Sequence, residues 1–500
     1  MTKDKTPWFR IRRRGHEAFG PVSTGLADVE KAGETLTPNL RALRLAMTAS
    51  EVLLSMGIPA NSVVSRALDI TETYCDEPVH VDIIYNLIMV SQVRGLENEP
   101  LTLIRPVVPQ DVNNMTVQSV QQLIYEISHG QHSLAQAETR LDKILNEPIT
   151  YPGWLVSAAN ASIAAAVALM FSTNWRVVTV TFVIAVLVDR LVALLIRQSI
   201  SSFFRQAAAG IFVTLAAAVI SLLDHQGVGF FWNMNPTLIV VGGIIMLVAG
   251  LAIVGAVQDA IEEYYITATA RVLRVFMLTA GLVMGILIGL YTARKLGIGI
   301  AVSPNPLHLT GLHFQIIGGG VAAAAFAVAT QTRLRAVVWA GLMGGAALVT
   351  TYAARRLGVS AVPAAGVAAA LVGVIASLFS RRWRTPSSGV IAAGIVPLVP
   401  GLAIYNSLMQ LIDYPPGNPL FYRGLGTLFT AAATALAIAA GASFGSMLAR
   451  PIHRQLTHTR NVQPFIALMH WQLKSGRKSR LARLALLRSF AAQESDEPNE

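Results

Sequence analysis

Charged residues and cysteine are both scarce in this 500-residue chain, and each scarcity excludes a class of protein. Only 13% of the residues are charged, against about 25% in an average soluble protein, whereas 53% are hydrophobic. The composition therefore predicts that most of the chain is embedded in a membrane. The single cysteine, Cys75, excludes an intramolecular disulfide and any multi-cysteine metal site, and we expect it to be a buried apolar side chain.

The chain also lacks the short motifs that mark common energy sources and enzymes. It has no G-x-x-x-x-G-K-[ST] phosphate loop, so it is not itself an ATP-driven pump. If the protein moves a solute, the movement is either coupled to an ion gradient or passive. It has no G-x-S-x-G, H-E-x-x-H or paired C-x-x-C motif. Ser62, His80 and Asp82 have the side chains of a catalytic triad, but such residues are more often helix caps and surface groups. We expect neither an enzyme nor a bound metal or cofactor.

The first 150 residues are polar and divide into a tail and a compact region. Residues 1–36 show no periodicity and predict a disordered basic tail. Residues 37–150 predict a small α+β cytoplasmic domain, because helical and alternating patterns follow one another. The predicted helices and strands cover Thr37–Gly57, Asn61–Tyr74 with Asn61 or Ser62 as the N-cap, Val79–Tyr85, Ile88–Val93, Leu101–Arg105, Val112–Ser128 and Ser133–Leu145.

After Pro152-Gly153 the chain becomes apolar, and ten segments are long enough to cross a bilayer. They lie near residues 153–172, 176–196, 206–223, 236–257, 272–292, 312–330, 335–353, 361–380, 388–411 and 424–448. Trp154, Trp175, Trp232 and Trp383 fall near predicted ends, as interfacial aromatic residues should. Residues 449–500 form a basic tail with an amphipathic stretch at 472–490, which either lies on the inner membrane surface or is solvated.

The basic residues predict the orientation of the chain. Its formal net charge of +11 is carried mainly by the tails and short loops, so we expect membrane orientation rather than nucleic-acid binding to explain it. An even number of spans places both termini on one side, and the arginines of the tails place that side in the cytoplasm of a plasma or inner membrane. No apolar run follows the basic start at residues 10–14, so a cleaved signal peptide is not expected.

One apolar segment is interrupted by Pro397-Leu398-Val399-Pro400-Gly401, followed by Tyr405, Asn406 and Ser407. Proline and glycine break a helix, and a membrane tolerates such a break only where protein or a water-filled cavity satisfies the freed backbone groups. The segment Leu247–Ile253 repeats Leu398–Ile404 at six of seven positions, with Ala249 in place of Pro400. Chance similarity between two apolar helices is the alternative explanation.

The position of this repeat predicts a two-fold architecture. The similar segments are the fourth span of each group of five, so residues 151–300 and 301–448 predict two five-helix repeats. An odd number of helices per repeat requires the second copy to be inverted, which is a common design of secondary transporters with a binding site near the midplane. The predicted fold is a polytopic α-helical membrane protein with ten transmembrane helices in two inverted repeats.

The interruptions supply candidate binding groups, and nearby carboxylates supply candidate proton carriers. Opened backbone at Pro400 and Gly401, with Tyr405, Asn406 and Ser407, suits a zwitterionic amino acid, and Gly250 is the equivalent of Gly401 in the first half. A polar contact between helices is the alternative for these residues. The candidate proton-coupling residues are Asp189, Asp259 and Glu262. Their alternatives are an interfacial Asp189, if its helix ends near Val188, and carboxylates solvated in a cytoplasmic loop.

The region from Leu43 to Ala60, the strands that follow and the segment Val399-Pro400-Gly401 together resemble the threonine/serine exporter (ThrE) family. That family has a V-P-G-x-x-[IL]-x-N-[AS] pattern followed by an acidic residue. Asn406 and Ser407 fit it, as do Gly250 and Asp259, whereas Ala249 and Gly255 depart from it in the first half. The resemblance implies export of threonine and serine driven by the proton motive force.

Two other functions remain open at this point. The N-terminal domain could act as a membrane-anchored enzyme or ligand sensor, and the membrane domain could be a passive channel. All three functions place the protein in a lipid bilayer. A transporter is expected to carry small amino acids such as threonine and serine. The sequence leaves open whether the protein forms a homo-oligomer.

Overall fold

The computed structural model describes residues 37–93, 99–147, 151–231, 234, 236–245, 250–298, 309–383 and 387–458. Trp232, the predicted tail at 1–36 and the predicted amphipathic stretch at 472–490 lie outside these residues. The chain divides into two compact units, Met1–Ser446 and Met447–Glu500. The described part of the second unit is only the end of the last helix, at residues 447–458, and every other described residue belongs to the first unit.

The described part of the polar N-terminal region contains four helices and one antiparallel sheet. Its elements in order are α1 Pro38–Ser55, α2 Ala60–Tyr74, β1 Val79–Ile84, β2 Leu87–Gln92, β3 Leu101–Pro106, α3 Asn114–Ser128 and α4 Leu134–Leu145. The strands are in sequence order in the sheet, with Val81 opposite Val90 and Val90 opposite Leu103. Alternate residues of β2, including Ile88 and Val90, are buried against the helices, as expected for a sheet that is covered on one face.

Two details of this region differ from the expectations drawn from the sequence. Helix α2 begins at Ala60, so Asn61 and Ser62 are inside its first turn, and Pro59 in the N-cap position provides no side-chain hydrogen bond. Cys75 is half-buried rather than buried, because it follows the last residue of α2 at the edge of the core. A separate domain at residues 37–150 stays a prediction.

Among the described residues, eight helices are long and apolar enough to cross a membrane. They are α5 Gly153–Phe171, α6 Trp175–Arg197, α7 Ser202–His225, α10 Tyr265–Lys295, α11 Leu312–Ala329, α12 Leu334–Arg356, α13 Ala361–Trp383 and α16 Pro419–His458. Trp154 and Trp175 lie near helix starts and are 67% and 63% exposed, as expected of side chains at a membrane interface. The chain is therefore a polytopic helical membrane protein.

The remaining described apolar chain forms two segments, which we call the interrupted segments because each is described as successive helices. The first consists of α8 Pro236–Ile245 and α9 Gly250–Ile261, and residues 246–249 between these two helices lie outside the described chain. The second consists of α14 Ser387–Ile395, a 3₁₀ turn Val396–Leu398, and α15 Gly401–Asp413. Both α9 and α15 begin at a glycine, and these two glycines lie 151 residues apart in the sequence.

The helices occur in the same order twice. Each half has three long helices, one interrupted segment and a final long helix, and an offset of 159 residues relates the starts of α6 and α12, at Trp175 and Leu334. The same close crossing also occurs twice: a Cβ on Gly285 would lie 2.0 Å from the Ala207 carbonyl oxygen, and one on Gly441 would lie 2.1 Å from that of Gly366. Any side chain would separate these helices. The ten-span count and the inverted orientation stay predictions.

The N-terminal region makes hydrogen bonds with both halves. At the first half, the backbone N–H of Tyr85, in the β1–β2 turn, donates to Thr267 Oγ1 at 2.9 Å. At the second half, Asn114 Nδ2 donates to Thr330 Oγ1 at 3.0 Å and to Thr332 Oγ1 at 2.9 Å. The region is thus attached to α10 on one side and to the α11–α12 loop on the other.

Candidate functional site

The two interrupted segments meet where the halves of the membrane region pack together. Leu402, in the first turn of α15, packs against the core of the first half, which includes Ile239 and Leu282. Val254 of α9 belongs to the core of the second half, together with Val372. The second helix of each interrupted segment therefore packs against the opposite half, so α9 and α15 lie at the interface between the halves.

The second break lies directly before α15, so the first turn of this helix begins inside the membrane region. Val399 is extended, with φ −65° and ψ 127°, and Pro400 in the N-cap position has φ −79° and ψ 40°. The N–H of Gly401 donates to the Val399 carbonyl at 2.9 Å. The N–H groups of the next residues have no acceptor within the helix, as at every helix start. The positive end of the helix dipole at this point favours a carboxylate.

The polar side chains that follow the break differ in their surroundings. Ser407 is fully buried, and its hydroxyl donates to the Ile404 carbonyl at 2.8 Å, which leaves its oxygen free to accept. Asn406 is half-buried. The side chain of Tyr405 lies outside the described part of the structure. The arrangement offers as donors the first-turn N–H groups that follow Gly401, and it offers side-chain acceptors within two turns of them.

Gln410 is a residue of this segment that sequence reasoning missed. Its side chain is buried, and its Oε1 has no hydrogen-bond partner among the described residues. It lies one helical turn beyond Asn406, on the same face, and 151 residues after Asp259. A glutamine within a helix carries no signal of its own, but the repeat offset would have identified the position.

The first interrupted segment contains a buried carboxylate. Asp259, in the last turns of α9, is fully buried, which excludes the alternative of a solvated loop residue. Its Oδ2 lies 2.8 Å from Nη1 of Arg271 on α10, and its Oδ1 accepts the N–H of Ala60 at 3.2 Å. The contact between Arg271 and Asp259 is an ion pair, but its N–H···O angle does not meet the criteria of a hydrogen bond. The two charges still attract each other, because Coulomb attraction does not depend on that angle.

Two residues around this ion pair have roles that sequence patterns did not indicate. Arg271 supplies the cationic partner that a buried carboxylate requires. Gly255, which departs from the family pattern, lies next to that partner, and a Cβ there would be in van der Waals contact with Arg271 Nη1 at 3.6 Å. Gly250 is the first residue of α9, and residues 246–249 lie outside the described chain.

The turn after α9 carries the other acidic candidates. Glu262 is half-buried and accepts from Gln258 Nε2 at 3.4 Å, whereas Glu263 is exposed with a positive φ of 70°. Tyr264 packs against the core of the N-terminal region. Burial raises the pKa of the Tyr264 hydroxyl, and the carboxylates of Asp82, Glu262 and Asp259 raise it further.

Asp189 lies in separate surroundings. Helix α6 continues through it to Arg197, so the helix does not end near Val188. Two side chains of α5 donate to the half-buried carboxylate: Ser157 through its hydroxyl and Asn160 through Nδ2 at 3.0 Å. The structure thus does not combine the three acidic candidates into one cluster, because α5 holds Asp189 whereas α2 and α10 hold Asp259.

The equivalent positions of the second half carry no carboxylate. An offset of 159 residues relates Asp189 to Leu348 and Asn160 to Gly319, and Leu348 Cδ1 packs where a Cβ of Gly319 would lie. The contact between the two helices is kept, but its chemistry is apolar. Gln410 replaces Asp259 in the same way. The buried acidic groups of both pairs therefore belong to the first half.

No group of three or more His, Cys, Asp or Glu residues within the described ranges could hold a metal ion. The chemistry at the interface is that of amide, hydroxyl, carboxylate and guanidinium groups. These groups bind and exchange protons, and they suit recognition of a small polar solute.

Comparison with known proteins divides the chain at the boundary between the halves. Residues 44–293 match the family described as "Putative threonine/serine exporter", and residues 315–448 match "Threonine/Serine exporter, ThrE". The chain is 32% identical over 452 residues to a "Probable threonine/serine exporter" of Mycobacterium tuberculosis, covering 89% of this chain and 83% of that protein. It is 30% identical over 423 residues to a "Threonine/serine exporter" of Corynebacterium glutamicum, covering 82% and 83%. No solved structure matches the chain.

Proposed function

Because the chain belongs to the threonine/serine exporter family, we propose that it carries threonine and serine out of the cytoplasm in exchange for protons. The observation that supports this most is the packing of the two interrupted segments between two similar halves, with a buried carboxylate near the end of the first segment. Transport of this kind requires binding and proton exchange, and no covalent chemistry.

We place the substrate at the second break. The first-turn N–H groups after Pro400 and Gly401 would receive the amino acid's carboxylate. Asn406 and the free lone pair of Ser407 would accept from its ammonium or hydroxyl group, and Tyr405 and Gln410 lie on the same helix. Gly250 would take the corresponding place at the first break.

The proton we place in the first half. Asp259 is fully buried and Asp189 is half-buried there, and the half-buried Glu262 lies one turn from Asp259. A carboxylate held inside a membrane protein by an arginine can exchange a proton when its surroundings change. Alternating exposure of the interface by rocking of two inverted halves would link that exchange to substrate release. Both termini would face the cytoplasm.

Removal of the Asn406 amide tests the substrate site. Asn406→Ala is expected to raise the threonine concentration for half-maximal export about tenfold, since one hydrogen bond to a charged group contributes about 1.5 kcal/mol. Pro400→Ala, which lets α15 extend backwards by restoring an N–H, is expected to lower the maximal rate. The measurement is initial threonine efflux from cells loaded with a threonine dipeptide, in a strain that lacks the native exporter.

Asn418→Ala serves as the matched control, because Asn418 caps the start of α16 through Leu420 and lies outside the break. Expression at equal levels is checked by immunoblot. Wild-type efflux in both Asn406→Ala and Pro400→Ala would remove the substrate from this site. Unchanged extracellular threonine after deletion and overexpression of the whole protein would contradict the proposed function itself.

A further inference from the structure

Helix α2 of the N-terminal region begins against the membrane helices. Its first residue, Ala60, follows Pro59, whose backbone is extended with φ −56° and ψ 144° and whose side chain makes no cap. The first N–H of a helix needs an acceptor from elsewhere. Here that acceptor is Asp259 Oδ1, 3.2 Å away and 199 residues along the chain. Both residues are fully buried, so water does not replace either partner.

Two different parts of the chain therefore hold the Asp259 carboxylate. Arg271 of α10 provides the positive charge next to Oδ2, and the start of α2 provides a donor and the positive end of a helix dipole next to Oδ1. A buried carboxylate is stable in its charged form only when such partners surround it. The N-terminal region thus supplies one of the two partners of this group.

The other titratable groups near the pair lie in three further parts of the chain. Glu262 is in the turn that ends the helix of Asp259, Tyr264 is in the segment that follows, and Asp82 is on β1. The carboxylates of Asp82, Glu262 and Asp259 act together on the Tyr264 hydroxyl. Burial opposes the charged form of Asp259, whereas Arg271 and the Ala60 N–H favour it, and this balance decides at which pH the carboxylate exchanges a proton.

We propose that the start of α2 is part of the proton-coupling site, with the Ala60 N–H as a positioning group for the Asp259 carboxylate. The inference rests on the proposed function, in which Asp259 carries the proton. It gives the N-terminal region a role in transport itself: its second helix tunes the pH range of coupling, and the membrane helices without it would hold Asp259 by Arg271 alone.

The test removes the N–H without removing a side chain. Ala60→Pro lacks that hydrogen, proline is well tolerated at the first residue of a helix, and an extended preceding residue is what proline requires. The full-length protein is reconstituted in liposomes, and threonine transport driven by a pH gradient is followed against pH. We expect the profile to move about one pH unit upwards, because the charged carboxylate has lost a donor, with the threonine KM within about twofold.

Two controls keep the N–H or test the proline itself. Ala60→Gly retains the donor, and Leu134→Pro places a proline at the first residue of α4, after an extended Ser133 with φ −71° and ψ 160°. Both are expected to keep the wild-type profile. If Ala60→Pro does not fold, Pro59→Asp replaces it: a helix-capping residue that adds a negative charge beside Asp259 should also move the profile upwards, and Pro59→Asn should not.

The outcomes separate this inference from the function on which it rests. An unmoved profile in Ala60→Pro and Pro59→Asp, with coupling lost in Asp259→Asn, would overturn the role of α2 and leave the proposed function standing. Full pH-driven transport by Asp259→Asn would instead overturn the assignment of the proton to Asp259. If Ala60→Pro raised the threonine KM but left the pH profile of transport unchanged, the contact between Ala60 and Asp259 would have only a structural role, and the inference would be overturned.

Discussion

Asp259→Asn is expected to abolish the pH dependence of threonine export, so that an imposed pH gradient no longer raises the rate. Asparagine has nearly the same shape as aspartate but carries no exchangeable acid proton. Asp259 is fully buried against Arg271 and Ala60, so water cannot take over its role. The measurement compares threonine flux through the reconstituted protein with and without a pH gradient.

The same substitution leaves the Arg271 guanidinium without its ionic partner, and breaking a buried ion pair costs about 3–5 kcal/mol. Loss of stability must therefore be separated from loss of coupling. Asp259→Asn/Arg271→Gln removes both charges, and we expect it to recover the thermal stability lost in the single variant while coupling stays absent. Recovery of pH-driven export in the double variant would assign the proton to another residue.

A disulfide between the N-terminal region and the second half is expected to stop transport. Asn114→Cys and Thr330→Cys, in a Cys75→Ser background, place two thiols where Asn114 Nδ2 now lies 3.0 Å from Thr330 Oγ1. The N-terminal region also contacts the first half through Ala60 and Tyr85. If the halves move against each other, the two sets of contacts cannot all persist, so oxidation should lower the rate more than about tenfold.

Ser91→Cys/Thr102→Cys is the matched control for this disulfide. Those hydroxyl oxygens lie 2.8 Å apart across β2 and β3, so the bond forms within the N-terminal region and does not join it to a membrane helix. We expect normal transport from this variant after oxidation. In the oxidised Asn114→Cys/Thr330→Cys variant, we expect dithiothreitol to restore transport. Full transport by the Asn114→Cys/Thr330→Cys variant, with its disulfide shown by gel shift to be formed, would mean that this contact stays closed throughout the cycle.

Local patterns predicted the elements because their causes are local. The alternation of apolar residues over Val79–Tyr85 corresponds to β1 Val79–Ile84, and the apolar runs correspond to long helices. The break at Pro400 was visible because proline and glycine act on their own backbone. The segment before Gly250 has no proline, so only its similarity to the second segment predicts a break there.

The partners of the buried groups could not be predicted in the same way. Ala60 and Asp259 are 199 residues apart, so no local periodicity connects them, and the N-cap rule pointed instead to Asn61 or Ser62. Asp189 was equally consistent with an interfacial residue, because the sequence does not show that Ser157 and Asn160 face it from α5. Sequence patterns identified the acidic residues, whereas long-range packing decided their surroundings.

Threonine uptake into liposomes that contain only this protein tests the central claim most directly. With an acidic lumen and a neutral outside, protons leave through the exporter, so antiport should drive labelled threonine inwards until its internal concentration exceeds the external one. A protonophore should collapse the accumulation. Threonine that merely equilibrates at a rate indifferent to the pH gradient and the protonophore would contradict proton-coupled export and indicate a passive channel.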